Sequence, residues 1–133
     1  MKRILEPNFE KRGGTIPVVF QHHKTRQILM LGYVDRAGFL ETIRTNEAVY
    51  FSTSRNERWK KGETSGCIQK VYDILIDCDG DALIYVGEQI GEGACHTGAE
   101  SCFFRSVCLP DADILHAPRK GEKEALNIIE VED

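Results

Sequence analysis

The chain has 133 residues, of which 41% are hydrophobic and 29% charged, with a formal net charge of −4. That length suits one domain with a true hydrophobic core. The acidic balance argues against a general nucleic-acid binder, which would carry a basic excess. No apolar run approaches the ~20 residues needed to cross a bilayer.

The opening Met1-Lys2-Arg3-Ile4-Leu5-Glu6-Pro7 has no extended apolar stretch after its basic pair. No export signal is therefore expected, and the cytoplasm is the expected compartment. An odd number of cysteines (Cys67, Cys78, Cys95, Cys102 and Cys108) argues against a disulfide framework. In a reducing compartment such thiols stay free, bind metal or do chemistry.

Residues 16–23 and 26–34 are rich in apolar and β-branched side chains and predict two strands, with a turn at Lys24-Thr25. Asp35 is a good N-cap for a short helix over 36–45, with Phe39, Leu40 and Ile43 on one face. Ala48–Thr53 predicts a strand, and the polar, basic stretch 54–66 a loop or irregular edge. Ile68–Ile76 and Ala82–Val86 predict two more strands around the acidic turn Asp77–Asp81. The glycine-rich stretch 87–101 predicts loop, Cys102–Leu109 a final strand, and Glu122–Glu130 a short helix in a polar tail from about residue 110. Consecutive strands with few short helices imply an α+β fold with a mainly antiparallel sheet.

Chemistry concentrates between residues 77 and 102. Cys78, Cys95 and Cys102 are soft ligands suited to zinc, and three protein ligands leave a fourth position for water. Their spacing matches no common zinc-finger pattern, and free cysteines also serve as small buried hydrophobes. Spacing alone therefore leaves zinc open. Asp77, Asp79 and Asp81 alternate, so an extended chain would put them on one face, with Cys78 on the other. Such a carboxylate set suits Mg²⁺ or Ca²⁺, or it is a solvated acidic turn bending at Gly80. His96 follows Cys95 and titrates near neutrality, as a proton shuttle or as a plain loop histidine.

A basic and hydroxyl-rich cluster spans 52–66, with Ser54, Arg55, Arg58, Trp59, Lys60, Lys61, Thr64, Ser65 and Gly66. Guanidinium forks, hydroxyls and glycine-freed backbone N–H groups are what phosphate recognition requires. Trp59 is suited either to stacking on a base or to packing. Arg105 and Lys24 are further anion candidates.

Several motifs together resemble the phosphoribosyl-AMP cyclohydrolase family: Leu29-Met30-Leu31-Gly32-Tyr33, Ser54-Arg55, Trp59–Gly66, Asp77–Asp81, Cys95-His96-Thr97-Gly98 and Ser101-Cys102-Phe103. The resemblance runs from about Ile16 to Phe104 and treats residues 1–133 as one domain. It implies hydrolysis of the N1–C6 bond of the adenine ring in phosphoribosyl-AMP, a step of histidine biosynthesis, by zinc-activated water attack at C6. It further implies Zn²⁺ held by Cys78, Cys95 and Cys102, Mg²⁺ held by Asp77, Asp79 and Asp81, and a homodimer whose zinc site lies at the interface with ligands from both chains. Within that frame His96 is the expected proton-transfer group. Ser54, Arg55, Trp59, Lys60, Lys61, Thr64, Ser65 and Gly66 are the expected substrate contacts.

Three positions depart from the family pattern. Cys67 stands where Asn is common, Thr53 replaces a basic residue, and Gly91-Glu92-Gly93 replaces the usual Gly-Pro. Residues 110–133 are too few for the pyrophosphohydrolase domain of fused relatives. A zinc deaminase would show H-x-E and P-C-x-x-C strings, which are missing here. A structural zinc module would instead recruit a fourth ligand, Cys67 or His96.

Overall fold

Alternation along β1 (Thr15–His22) buries Ile16, Val18 and Phe20 and leaves Pro17, Val19 and Gln21 half-buried. That period of two belongs to a strand with one covered face. The computed structural model describes residues 3–107 and 129–130. β2 (Ile28–Asp35) pairs antiparallel with β1 through a turn in which Arg26 adopts a left-handed φ of 65°. The His22 Nδ1 closes that turn by accepting the Lys24 and Thr25 backbone N–H groups. β5 (Gln69–Ile76) and β6 (Leu83–Gln89) form a second antiparallel pair. β6 then lies parallel to β1, so the sheet order is β2-β1-β6-β5.

The helix α1 (Arg36–Thr45) has the expected bounds and cap, the Asp35 side chain accepting the Gly38 N–H at 2.9 Å. Of the expected apolar face, Phe39 and Ile43 meet the core and Leu40 does not. Gly38, Phe39 and Thr42 are buried, while Leu40 is exposed and Ile43 half-buried. Thr42 tolerates burial because its hydroxyl donates to the Gly38 carbonyl and accepts the Val49 N–H.

Residues 54–66, expected to be a loop or irregular edge, contain the short regular strand β4 (Glu57–Lys60). It forms a hairpin with β3 (Val49–Ser52), Tyr50 opposite Trp59. Their rings lie 5.2 Å apart, an aromatic cross-strand pair that stabilises the hairpin despite its polar flanks. β6 also runs past the expected Val86 to Gln89. Gly87 permits this, since a Cβ there would lie 1.8 Å from the Lys70 carbonyl oxygen.

Cys102–Val107 carries no strand, contrary to expectation, and residues 108–109 lie outside the described residues. The Cys102 N–H donates to the Leu29 carbonyl and the Ser101 hydroxyl to the Ile28 carbonyl, while Ser101 Oγ itself accepts the Phe103 N–H. These few bonds pin the segment to β2 without building a ladder. Of the expected helix at 122–130, residues 122–128 lie outside the described residues, and 129–130 are not helical.

The core joins Ile16, Val18, Phe20, Met30, Tyr50 and Tyr85 with Phe9 and Phe39. The opposite face of the sheet is also apolar. Leu31, Val19, Ile84 and Leu75 stand in register across all four strands. Leu31 and Leu75 remain 46% and 44% exposed. No described helix is long and apolar enough to cross a membrane.

Candidate functional site

The acidic segment is a turn rather than an extended strand. Asp77 Oδ1 accepts the Asp81 and Ala82 N–H groups at 3.0 and 3.2 Å, and the Gly80 N–H donates back to the Asp77 carbonyl. Gly80 takes φ 77°, a left-handed value that glycine adopts at little cost. The expected alternation of faces is thus absent, because Asp77 spends its side chain on the backbone of its own turn. The three carboxylates converge all the same, with one ligand atom from each within 4.8 Å of the others.

Two cations that sequence reasoning missed approach this turn. Lys11 Nζ lies 2.9 Å from Asp79 Oδ2 and 3.3 Å from Asp81 Oδ2, and Arg12 Nε 2.9 Å from Asp81 Oδ2. Asp81 is only 2% exposed, and a buried carboxylate needs such partners. Hydrogen bonding to Lys11, and then to Asp81 and Asp77, holds the Asp79 carboxyl down at about 2. The signal in the sequence was a basic pair before Gly13-Gly14, but its target lies 68 residues on.

The cysteines are arranged differently. Cys95 and Cys102 are brought near enough for each thiol to shift the other's titration. Cys78 is exposed. Among the described residues, no group of three potential ligands that could share a cation includes a cysteine. Burial pushes the Cys95 thiol up, but hydrogen bonds from the Thr97 hydroxyl and backbone and from Cys102, with the Lys61 charge, carry it below the ordinary thiol range. The Thr97 hydroxyl lies 3.1 Å from Cys95 Sγ. Cys102 keeps an exposed face, yet its thiol is partly desolvated. That desolvation, with repulsion from Cys95, pushes it up to about 11. Soft, partly desolvated sulfurs of this kind suit zinc, but a single chain supplies two of the three expected.

Local backbone explains the pair. The loop 94–100 closes on itself, Ala94 and Cys95 N–H groups donating to the Glu100 and Ala99 carbonyls. Gly93 takes φ 121°, and a Cβ there would sit 2.6 Å from the Ala99 carbonyl oxygen. Cys102 is held to β2 through its own N–H. His96 is exposed beside Cys95.

The expected substrate contacts largely share one open groove of about 470 Å³, lined by Arg55, Trp59, Lys60, Lys61, Thr64 and Ser65 among others. Arg58, on the same wall, forks onto Asp35 through Nε at 3.2 Å and Nη2 at 2.8 Å. Lys60 pairs with Glu47 at 2.6 Å, and Arg55 lies 3.5 Å from Glu57. Trp59 packs against the core on one side. Ser54 and Gly66 fall outside the lining, Ser54 lying 3.3 Å from Ser52 and Gly66 closing a turn onto the Gly62 carbonyl. Lys24 sits in the β1–β2 turn, and the Arg105 guanidinium lies over Phe104.

The sequence profile of the family described as phosphoribosyl-AMP cyclohydrolase matches residues 30–104. The chain belongs to the phosphoribosyl-AMP cyclohydrolase family. A protein of that name from Desulforapulum autotrophicum is 46% identical over 112 residues, covering 84% of this chain and 90% of that protein. Another from Clostridium beijerinckii is 43% identical over 106 residues, covering 80% and 96%. A histidine biosynthesis bifunctional protein HisIE from Deinococcus radiodurans is 48% identical over 112 residues, 84% of this chain and 50% of that longer protein. The matched cyclohydrolase region contains the groove, the aspartate turn and the thiol pair.

Proposed function

We propose that this cyclohydrolase opens the adenine ring of phosphoribosyl-AMP at the N1–C6 bond, in the cytoplasm, as a step of histidine biosynthesis. The observation that carries the reading is the Cys95–Cys102 pair standing next to a basic groove, with Lys61 common to both. Cys78, Cys95 and Cys102 would hold Zn²⁺, and Asp77, Asp79 and Asp81 would hold Mg²⁺. Bound zinc supplies Lewis acidity and a strong water-derived nucleophile at neutral pH.

The remaining work falls to side chains. Substitution at N1 leaves the purine ring cationic and electrophilic at C6. Water adds its oxygen there and loses a proton, and N1 gains one as N1–C6 breaks. His96, exposed beside Cys95, carries that proton. Arg55, Lys60, the neighbouring Ser54 hydroxyl and the Thr64-Ser65-Gly66 turn bind the phosphorylated riboses, and Trp59 borders the base. Replacing His96 with Ala should lower kcat by about 10²–10⁴-fold, the usual share of a general acid or base, with zinc content unchanged. A wild-type kcat in that variant would remove the assignment.

The same reading makes the enzyme a homodimer. Cys78 does not join the thiol pair within its own chain, so a second copy would donate it. The exposed apolar row through Leu31 and Leu75 supports association, as monomers rarely leave such a face open. The direct test is ring opening of phosphoribosyl-AMP followed by ultraviolet absorbance. Activity should vanish with a zinc chelator and return with added Zn²⁺. Undiminished turnover in metal-free protein would overturn the reading.

A further inference from the structure

Lys61 was expected to contact phosphate, but its side chain is committed elsewhere. Its Nζ donates to the Ala94 carbonyl at 2.7 Å, in a partly buried contact 33 residues away in sequence. Ala94 is itself buried and immediately precedes Cys95. At the other end, the Lys61 backbone N–H donates to the carbonyl of Ala48, a core residue next to β3. Lys61 therefore bridges the β3–β4 hairpin to the loop that presents Cys95.

We propose that Lys61 is a positioning residue for the thiol pair, fastening the Cys95 loop to the hairpin, and not a phosphate ligand. The proposal rests on Cys95 and Cys102 serving as zinc ligands. The two sulfurs are held by different means. Cys102 is fixed by its N–H on the Leu29 carbonyl and by Ser101 on the Ile28 carbonyl, both on β2. The loop 94–100 closes mostly on its own backbone, and at its start buried Ala94 packs into the core. Lys61 adds the polar tether that reaches this loop from the hairpin side. A charged donor on a carbonyl in a partly desolvated setting is among the stronger hydrogen bonds. Its charge also acts on both sulfurs, where it would offset the net negative charge of three thiolates around one divalent cation. Arg55 reaches the same groove with only a 3.5 Å contact to Glu57, so it is better placed for phosphate.

The test compares Lys61→Met, Lys61→Arg and Arg55→Met in the full chain. Zinc retention is measured by competition with a chromophoric chelator, and kcat and KM are measured for phosphoribosyl-AMP. Amide exchange at Cys95 and Gly98 is followed in chelator-treated protein. Lys61→Met should weaken zinc retention by about ten- to a hundredfold, the usual effect of removing a group that orients a metal ligand. It should lower kcat more than it raises KM and speed exchange at Cys95 and Gly98, while exchange in β1 and β6 stays slow. Lys61→Arg should restore much of the retention, and Arg55→Met should raise KM with zinc retention intact. Wild-type zinc retention and unchanged loop exchange in Lys61→Met, with only KM raised, would return Lys61 to the phosphate site. The exchange readout needs neither metal nor turnover. Failure of the zinc reading itself would instead appear as chelator-insensitive activity in the wild-type protein.

Discussion

Asp77, Asp79 and Asp81 meet within one turn of one chain, whereas Cys95 and Cys102 meet without Cys78. The aspartate cluster is local, its geometry set by Gly80 and by the Asp77 side chain bonding its own backbone. The thiol pair is assembled from a distance: β2 fixes Cys102 and Lys61 fixes the Cys95 loop. A local cluster can form whenever the turn forms. A long-range one depends on the packed sheet and, in the proposed enzyme, on a second subunit.

Separate variants should break the two sites independently. The largest effect is expected from Cys102→Ala, which should abolish zinc binding and ring opening while leaving Mg²⁺ affinity at the aspartate turn unchanged. Zinc analysis alongside Mg²⁺ titration calorimetry checks both halves. Asp81→Ala should do the reverse, removing Mg²⁺ affinity and sparing zinc. It should also cost about 1 kcal/mol in urea unfolding, because the lost partners Lys11 and Arg12 remain largely solvated.

Lys11→Met sharpens the comparison on a smaller scale. Removing this cation should raise Mg²⁺ affinity about two- to fivefold, the range set by an exposed ion pair. The pH response of the turn is smaller still. Asp79 titrates at about 2 in the folded chain against an ordinary 3.8. A depressed carboxylate contributes stability that is complete above the ordinary value and is lost as pH falls through the folded one. The melting temperature should therefore gain nothing from Asp79 between pH 5 and 7 and should decline from about pH 4 toward 2. Asp79→Asn should flatten that part of the profile.

Much of the local site was legible in the sequence because its causes are local. The acid-rich turn, the Asp35 cap and the α1 boundaries each follow from residues within a few positions. The strand β4 was hidden because its polar residues form a hairpin only through the Tyr50–Trp59 pairing. The expected strand after Cys102 failed for a different reason: the Ser101 hydroxyl takes the Ile28 carbonyl of β2 and accepts the Phe103 N–H, so side-chain bonds stand where a ladder would. Lys11, Arg12 and Lys61 act on groups 33 to 69 residues away. No local pattern distinguishes such partners from solvated surface charge. Of the basic residues expected to meet phosphate, Lys60 also pairs with Glu47 and Lys61 reaches the Ala94 carbonyl, partners 13 and 33 residues away.

Subunit complementation tests most directly whether the third sulfur comes from another copy. Cys78→Ala and Cys95→Ala chains, each inactive alone, are mixed in equal amounts, unfolded and refolded together. A mixed dimer then carries one doubly damaged site and one intact site, so random pairing should restore about a quarter of wild-type activity. No recovery, with mixed dimers demonstrated by mass spectrometry, would mean that each chain builds its site alone.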